Sequence, residues 1–157
     1  MTLTAELETQ SFVLLRLGDR RFAVSAERIA ELAAPSRIYH FPHHTSEVEG
    51  VILRRGRIVP VCDISGQLTG RPMGTRRFYL LALRHYGAQT ESVALPVTGE
   101  CELIAAEMTD ASGDHPPHVD GWISHDGEVI EVLNLDFLTP GPEPAAKLDA
   151  QIAGASR

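Results

Sequence analysis

The sequence predicts a mostly β protein built from two copies of one small β module, and three observations predict it. Three segments recur in the same order along the chain. Each segment alternates apolar and polar residues and is bounded by turn pairs such as Gly18-Asp19, Arg55-Gly56 and Asp126-Gly127. The composition of the 157 residues, 43% hydrophobic and 22% charged with 13 Gly and 10 Pro, is that of a globular chain. Many short strands with little helix point to paired small barrels or one sandwich.

The repeat is read without gaps. GVILRRGRIVPVCDI, residues 50–64, lies on GWISHDGEVIEVLNL, residues 121–135, at an offset of 71 that matches Gly50 with Gly121 and Gly56 with Gly127. The same offset lays FAVSAERIAEL (22–32) on VALPVTGECEL (93–103). FVLLRL (12–17) resembles FYLLAL (78–83) at a shorter offset, which predicts a longer hairpin turn in the second copy. Chance could supply one such match, but three in order define two modules, each of about 60–70 residues.

The elements follow in order. Phe12–Leu17 and Arg21–Val24 form a hairpin about Gly18-Asp19. Ser25 N-caps a short helix over Ala26–Ala33, with Ile29, Leu32 and Ala33 at helical spacing and Pro35 ending it. Ile38–Phe41 reads as a strand running into Pro42. Val51–Leu53 and Ile58–Cys62 form a second hairpin about Arg55-Gly56. Its counterpart turns at Asp126-Gly127, a pair suited to the positive φ of a tight hairpin. Pro60 lacks an N–H and belongs on an edge strand or at a bulge. Gln67–Thr75 and Thr109–His118 read as mobile loops. Residues 1–10 and 139–157 read as flexible or partly helical termini, with Ala145–Ile152 forming one or two helical turns.

Composition also excludes classes. Disordered, collagenous and disulfide-rich chains are ruled out, and no apolar run approaches the roughly 20 residues of a membrane span. Met1–Gln10 holds Glu6 and Glu8 without a basic residue, unlike a signal peptide. Cys62 and Cys101 are too few and too far apart for a disulfide framework or a cysteine zinc site, so a cytoplasmic protein is expected. Residues 1–78 carry 11 Arg against 8 acids and residues 79–157 carry 3 basic residues against 13 acids, or +3 and −10 within a net −7. A pI of 5.4 and few aromatic residues argue against a nucleic-acid surface. Opposite fields suit docking of different partners, or of copies of the chain, on different faces, while solvated strand faces remain the alternative.

With these motifs in place, the chain resembles the CheW-like domain family. GVILRRGRIVPVCDI is similar to the family signature, in which Gly-Val-Ile is followed by Asn-Leu-Arg-Gly, a Pro-Val pair and an Asp. FAVSAERIAEL followed by IYHFP resembles the stretch upstream of it. The resemblance covers residues 11–138, with barrel copies of approximately 12–68 and 78–138, and leaves open an exchange of segments between the barrels. It implies two SH3-like five-stranded barrels around a shared hydrophobic core. It also implies a non-enzymatic, cofactor-free adaptor linking chemoreceptor tips to a CheA-type histidine kinase, with other CheW-like domains as further partners. No nucleic-acid binding and no membrane insertion are implied. A relative serving a pilus or twitching-type chemosensory system is the alternative. The family's Arg before the hairpin Gly falls on Arg55, its Pro on Pro60 and its Asp on Asp63. The chain departs from the family at Leu53-Arg54 in place of Asn-Leu, at Asn134 opposite Asp63, and at Pro96-Val97-Thr98 where Val-Asp is usual.

Residue chemistry separates the candidate sites. Arg54, Arg55 and Arg57 share one hairpin tip and suit bidentate recognition of carboxylates on a partner helix; a solvated tip, or an internal pair of Arg55 with Asp63, is the alternative. Ile38, Phe41 and Val51 lie beside that tip and are the candidates for an apolar receptor-facing strip. Gly56 and Gly127 read as turn glycines, and Asp63 as the cap of the turn Ile64–Leu68. His40, His43, His44, His115, His118 and His125 carry no His-Glu-x-x-His spacing and read as loop histidines rather than metal ligands; a histidine-based metal-binding protein is the remote alternative. Cys62 lies mid-strand between Val61 and Asp63 and reads as a core hydrophobe rather than a nucleophile.

Overall fold

The structure is a computed structural model, described over residues 8–34, 37–40, 48–71 and 78–139. Phe41, His43, His44, Arg76, Arg77 and the helical turns expected over Ala145–Ile152 lie outside these residues. The first half forms β1 (Gln10–Leu17), β2 (Arg20–Ser25), a 3-10 turn (Ala26–Arg28), β3 (Ile29–Ala33), β4 (Tyr39–His40), β5 (Gly50–Arg54), β6 (Arg57–Val61) and α1 (Ser65–Thr69). The second half forms β7 (Phe78–Tyr86), β8 (Gln89–Val97), β9 (Glu102–Ala106), β10 (Thr109–Asp110), β11 (Val119–His125), β12 (Glu128–Leu133) and α2 (Leu135–Leu138).

Two sheets result, ordered β10-β11-β12-β2-β1-β9 and β4-β5-β6-β8-β7-β3. Each is an SH3-like barrel sheet of five main strands plus one two-residue strand. Replacing every strand of one order by its repeat equivalent gives the other. The sheets do not divide the chain at its midpoint, because hairpin β1–β2 joins β9–β12 and hairpin β7–β8 joins β3–β6. In each barrel, here the β1 barrel and the β7 barrel, one parallel pair joins the exchanged hairpin to the other strands. Val132 lies opposite Ala23 in the first and Val61 opposite Ala94 in the second. These two pairs are related by the same offset of 71 found in the sequence.

Packing repeats as well. The β1 barrel buries Phe12, Leu14, Ala23, Ile123, Ile130 and Val132. The β7 barrel buries Tyr79, Leu81, Ala94, Ile52, Val59 and Val61 at the matching places. Between them lies a shared core that includes Leu15, Phe22, Val24, Ile64, Leu95 and Leu135 from both halves. A fully buried Phe or Leu contributes roughly 1.5–3 kcal/mol. A layer assembled from both hairpins and both helices therefore makes the barrels one cooperative unit rather than two beads.

Several expectations are corrected by the fold. Residues 26–33 are not a helix capped by Ser25: the Ser25 side chain makes no capping bond, and a three-residue 3-10 turn leads into strand β3. Ile29, Glu31 and Ala33 turn inward to differing degrees while Ala30 and Leu32 are exposed, a period of two, and pairing with β7 outweighs the helical propensity of Ala, Glu and Leu. The second copy does not have a longer turn. Gly18-Asp19 and Gly87-Ala88 both make two-residue connections, and the extra residues lengthen β7 and β8 themselves. Phe12 is structurally equivalent to Tyr79 rather than to Phe78, one residue on from the match read in the sequence. Pro60 is not on an edge strand, since β6 lies between β5 and β8. The β8 side of β6 is paired only at Val61, so a residue without an N–H sits beside an incomplete ladder. Gln67–Thr69 belongs to α1 and Thr109–Asp110 to β10 rather than to loops.

Two ion pairs, Arg21 with Glu128 and Arg28 with Asp136, join the basic first half of the chain to the acidic second half. Arg21 contacts Glu128 at 2.5 Å across β2 and β12. Arg84, buried at the base of β7, contacts Glu91 at 2.9 Å and donates to the Thr139 carbonyl at 3.1 Å. Arg28 donates to Leu83 O at 2.8 Å and also to Asp136, which accepts the His85 N–H at 2.8 Å. These bonds fasten α2, reached from the β1 barrel, onto β7 of the other. Burial pushes the Asp136 carboxyl up, but the His85 N–H and the Arg28 guanidinium more than offset it and hold it below the ordinary carboxylate range. A depressed carboxylate stabilises the fold above its unfolded pKa of about 3.9, and that contribution is lost as pH falls through the folded value. Asp136→Asn is therefore expected to lower the urea midpoint at pH 6, with the gap to wild type closing as both are titrated toward pH 3.

Candidate functional site

The β5–β6 tip concentrates the candidate residues. Arg55 has φ +53° and Gly56 φ +77°, and the equivalent Asp126 and Gly127 have +54° and +76°. Two successive positive φ values make the tight hairpin turn that matches strand twist. Asp tolerates this region, but Arg gains no local hydrogen bond there and is strained. Arg54 Nη2 donates to Glu31 Oε1 at 2.6 Å, and Arg55 Nε lies 3.5 Å from Glu31 Oε2. The internal pair of Arg55 is thus with Glu31 and not with Asp63. Hydrogen bonding to Arg54 holds the Glu31 carboxyl below its usual range. Arg54 Nε is buried without a hydrogen-bond partner. The Arg55 side chain is 75% exposed, and Arg57 is exposed beside it.

The outer face beneath the tip is apolar. Leu53 pairs with Ile58, Val51 with Pro60 and Tyr39 with Val51, so all five side chains share one face opposite buried Ile52 and Val59. Leu53 is 54% and Ile58 70% exposed, and Arg37 stacks over the Tyr39 ring at 5.0 Å. The corresponding face of the β1 barrel holds Thr109, Trp122, Ser124, Val129 and Glu131. Three of the five apolar positions, Tyr39, Leu53 and Pro60, are thus filled there by Thr109, Ser124 and Glu131, so an apolar residue at those three is not a demand of the fold.

A cleft of about 720 Å³ opens beside the tip, lined by Glu31, Arg54, Arg55, Arg57, Ile58 and Thr90 among others. On the β1 barrel the equivalent residues line two smaller clefts, one of about 320 Å³ with Arg21, Glu128, Val129 and Glu131 and one of about 260 Å³ with Leu14, Arg21 and Glu102.

Val51 is half-buried on the apolar face. Ile38 instead packs against the core of the β7 barrel, and its neighbour Tyr39 carries the exposed surface. Asp63 does not cap α1 directly, since its Oδ1 accepts the Ser65 N–H at 3.0 Å in a turn ahead of the N-cap position Ile64. Asn134, by contrast, is the N-cap of α2, and its Oδ1 accepts the Phe137 N–H at 3.1 Å. Thr98 Oγ1 accepts the Gly18 N–H at 2.9 Å. Cys62 is buried in the shared core, and burial pushes the Cys101 thiol up to about 11. His118 approaches Glu131 at 3.5 Å and His125 approaches Asp126 at 3.3 Å. Among the described residues, no three His, Cys, Asp or Glu side chains converge as a metal site. Sequence reasoning missed Glu31, because a helix over 26–33 hid its position opposite the arginines. It also missed Tyr39, Leu53 and Ile58, although strict alternation with Ile52 and Val59 marks Leu53 and Ile58 as outward.

Comparison with known proteins places this geometry. Residues 11–139 match the model of the CheW-like domain. The chain is 24% identical over 146 residues to the chemotaxis protein CheW of Rhizobium meliloti, covering 87% of this chain and 92% of that protein. It is 21% identical over 142 residues to a probable chemotaxis protein CheW of Rhizobium etli, with the same coverage of each. The crystal structure of the scaffolding protein TtCheW from Thermoanaerobacter tengcongensis superposes with a TM-score of 0.69 at 18% identity, covering 85% of this chain and 94% of that one.

Proposed function

The chain belongs to the CheW-like domain family, and from that premise we propose that it is a non-enzymatic scaffold of chemotaxis-type signalling that couples chemoreceptor tips to a CheA-type histidine kinase. The observation that carries this reading is Arg55. It is held in a left-handed conformation that its repeat equivalent fills with Asp, its guanidinium faces solvent, and it crowns a face on which Tyr39, Leu53 and Pro60 stand where the other barrel has Thr109, Ser124 and Glu131. Strain kept at an exposed position is characteristic of contact residues. The adaptor works in the cytoplasm at receptor arrays. It holds receptor and kinase together, and each partner biases the other through differential contacts at the two barrels. Arg54, Arg55 and Arg57 meet partner carboxylates, Val51 with Leu53 and Ile58 meets apolar side chains, and further CheW-like domains compete for the same faces.

The test is a pull-down at about 0.15 M salt, where charges more than about 8 Å apart are largely screened. Wild type is expected to retain receptor tips and the kinase, and Arg55→Glu to lose at least one of them while melting normally. Retention should weaken at higher salt, chiefly through slower encounter. Failure of wild type to retain either partner would remove the coupling role, and a melted Arg55→Glu would make Arg55 structural.

A further inference from the structure

The near-identical barrels serve as controls for one another, and one difference between them lies outside the scaffold role itself. Beyond the equivalent pairs Leu14↔Ala23 and Leu81↔Ala94, hairpin β1–β2 runs on to Leu17↔Arg20, whereas β7–β8 runs on to Tyr86↔Gln89. The second hairpin is longer by the pairs His85↔Thr90 and Tyr86↔Gln89. These additions are anchored. Arg84 beneath them is buried against Glu91 and the Thr139 carbonyl, and the His85 N–H is held by Asp136. Thr90 at the added end is exposed and lines the 720 Å³ cleft together with Arg54, Arg55 and Arg57. On the β1 barrel the shorter hairpin accompanies two smaller clefts, of about 320 Å³ and 260 Å³.

The charges of the larger cleft are unevenly satisfied. Its two carboxylates are engaged, Glu31 by Arg54 and Arg55 and Glu91 by Arg84. Arg57 pairs with no carboxylate among the described residues, and Arg54 Nε lacks an acceptor. At the positions of Arg57 and Pro60, the β1 barrel has Glu128 and Glu131. A cleft of this construction is therefore not obliged to be cationic. Resting on the arginine tip as a docking site, we propose that the extended β7–β8 hairpin is the specificity-determining wall of a cleft that accepts the carboxylates of an acidic partner segment. Guanidiniums supply the attraction on one side, and the hairpin sets the width and polarity of the other.

The probe is a labelled helical peptide of about 15 residues carrying Glu at i and i+4 on one face, with a Gln twin as control, titrated by fluorescence anisotropy against the full chain. The Glu peptide is expected to bind about tenfold more tightly than its twin. Thr90→Glu should weaken it and Thr90→Lys tighten it, each by about fivefold, with unchanged melting. A variant lacking His85, Tyr86, Gln89 and Thr90 restores the length of the other hairpin and should lose the Glu preference; the Thr90 pair decides the matter if that variant fails to fold. Equal binding of the two peptides, binding by neither up to about 1 mM, or indifference to the charge at residue 90 would overturn the proposal. If wild type still retained receptor tips or kinase, the cleft assignment would fall and the scaffold reading would stand. Loss of partner retention with a preserved Glu preference would do the reverse.

Discussion

Gly121→Ala is expected to lower stability by about 2–3 kcal/mol, the upper part of the range for overpacking. A Cβ on Gly121 would lie 2.4 Å from the Thr109 carbonyl oxygen and 2.9 Å from Met108 Cγ. The oxygen is backbone on β10, paired to β11 through Asp110↔Gly121, so it cannot swing aside as a side-chain end could. The repeat supplies a second instance. Gly50 lies opposite His40 on β4, and its Cβ would meet the Tyr39 carbonyl oxygen at 2.6 Å and Ile38 Cγ2 at 2.9 Å. In both barrels, close approach of the two-residue strand requires glycine, without any need for a positive φ. Gly50→Ala should therefore cost a similar amount, and the two should add, since they lie in different barrels. Gly66 in α1 is the control: its Cβ meets open space, so Gly66→Ala should be neutral or stabilising by up to about 1 kcal/mol. Urea denaturation of the two single variants, their double and Gly66→Ala checks the ordering. A neutral Gly121→Ala would mean that β10 is not fixed against β11.

The legible and illegible parts of this chain divide along a physical line. Hairpins were legible because alternation and turn residues are local: Gly18-Asp19, Arg55-Gly56 and Asp126-Gly127 each mark a two-residue connection. The repeat was legible because residues matched at an offset of 71 face equivalent neighbours, as Ala23 and Ala94 do against Val132 and Val61. What local pattern could not reveal is which sheet a hairpin enters. The exchange of β1–β2 and β7–β8 depends on pairings far apart in the chain, such as Arg21 with Glu128. For the same reason residues 26–33 read as helix: Ala, Glu and Leu favour one locally, and only the partner strand β7 makes them extended. That error concealed Glu31, and with it the ion pair that organises the arginine tip. The tip itself was legible from three arginines around a turn glycine. Its apolar companions Leu53 and Ile58 were legible as outward only through alternation with Ile52 and Val59, and Tyr39 only once β4 is paired with β5.

Arg55→Asn is expected to raise stability by about 0.5–1 kcal/mol while lowering partner affinity about tenfold or more. The left-handed region costs an ordinary residue roughly 1–2 kcal/mol, whereas Asn adopts it with little strain and favours this turn before Gly. The substitution removes the ion pair of Arg55 with Glu31 at 3.5 Å, which joins a side chain 75% exposed to a carboxylate already held by Arg54. Exposed pairs of this kind contribute little. Stability and function therefore pull in opposite directions at one residue, which a charge reversal at Arg55 cannot show as cleanly. Thermal melts read the first quantity and retention of receptor tips or kinase the second. A residue kept only for the fold would lose stability on replacement. One that merely solvates the tip would gain stability and keep its partners. Asp126→Arg, the opposite exchange on the β1 barrel, should destabilise by a similar amount and add no retention, because its tip crowns Ser124 and Glu131 rather than Leu53 and Pro60. A loss confined to Arg55 would locate partner recognition on the β7 barrel and account for the persistence of a strained arginine where its own repeat uses aspartate.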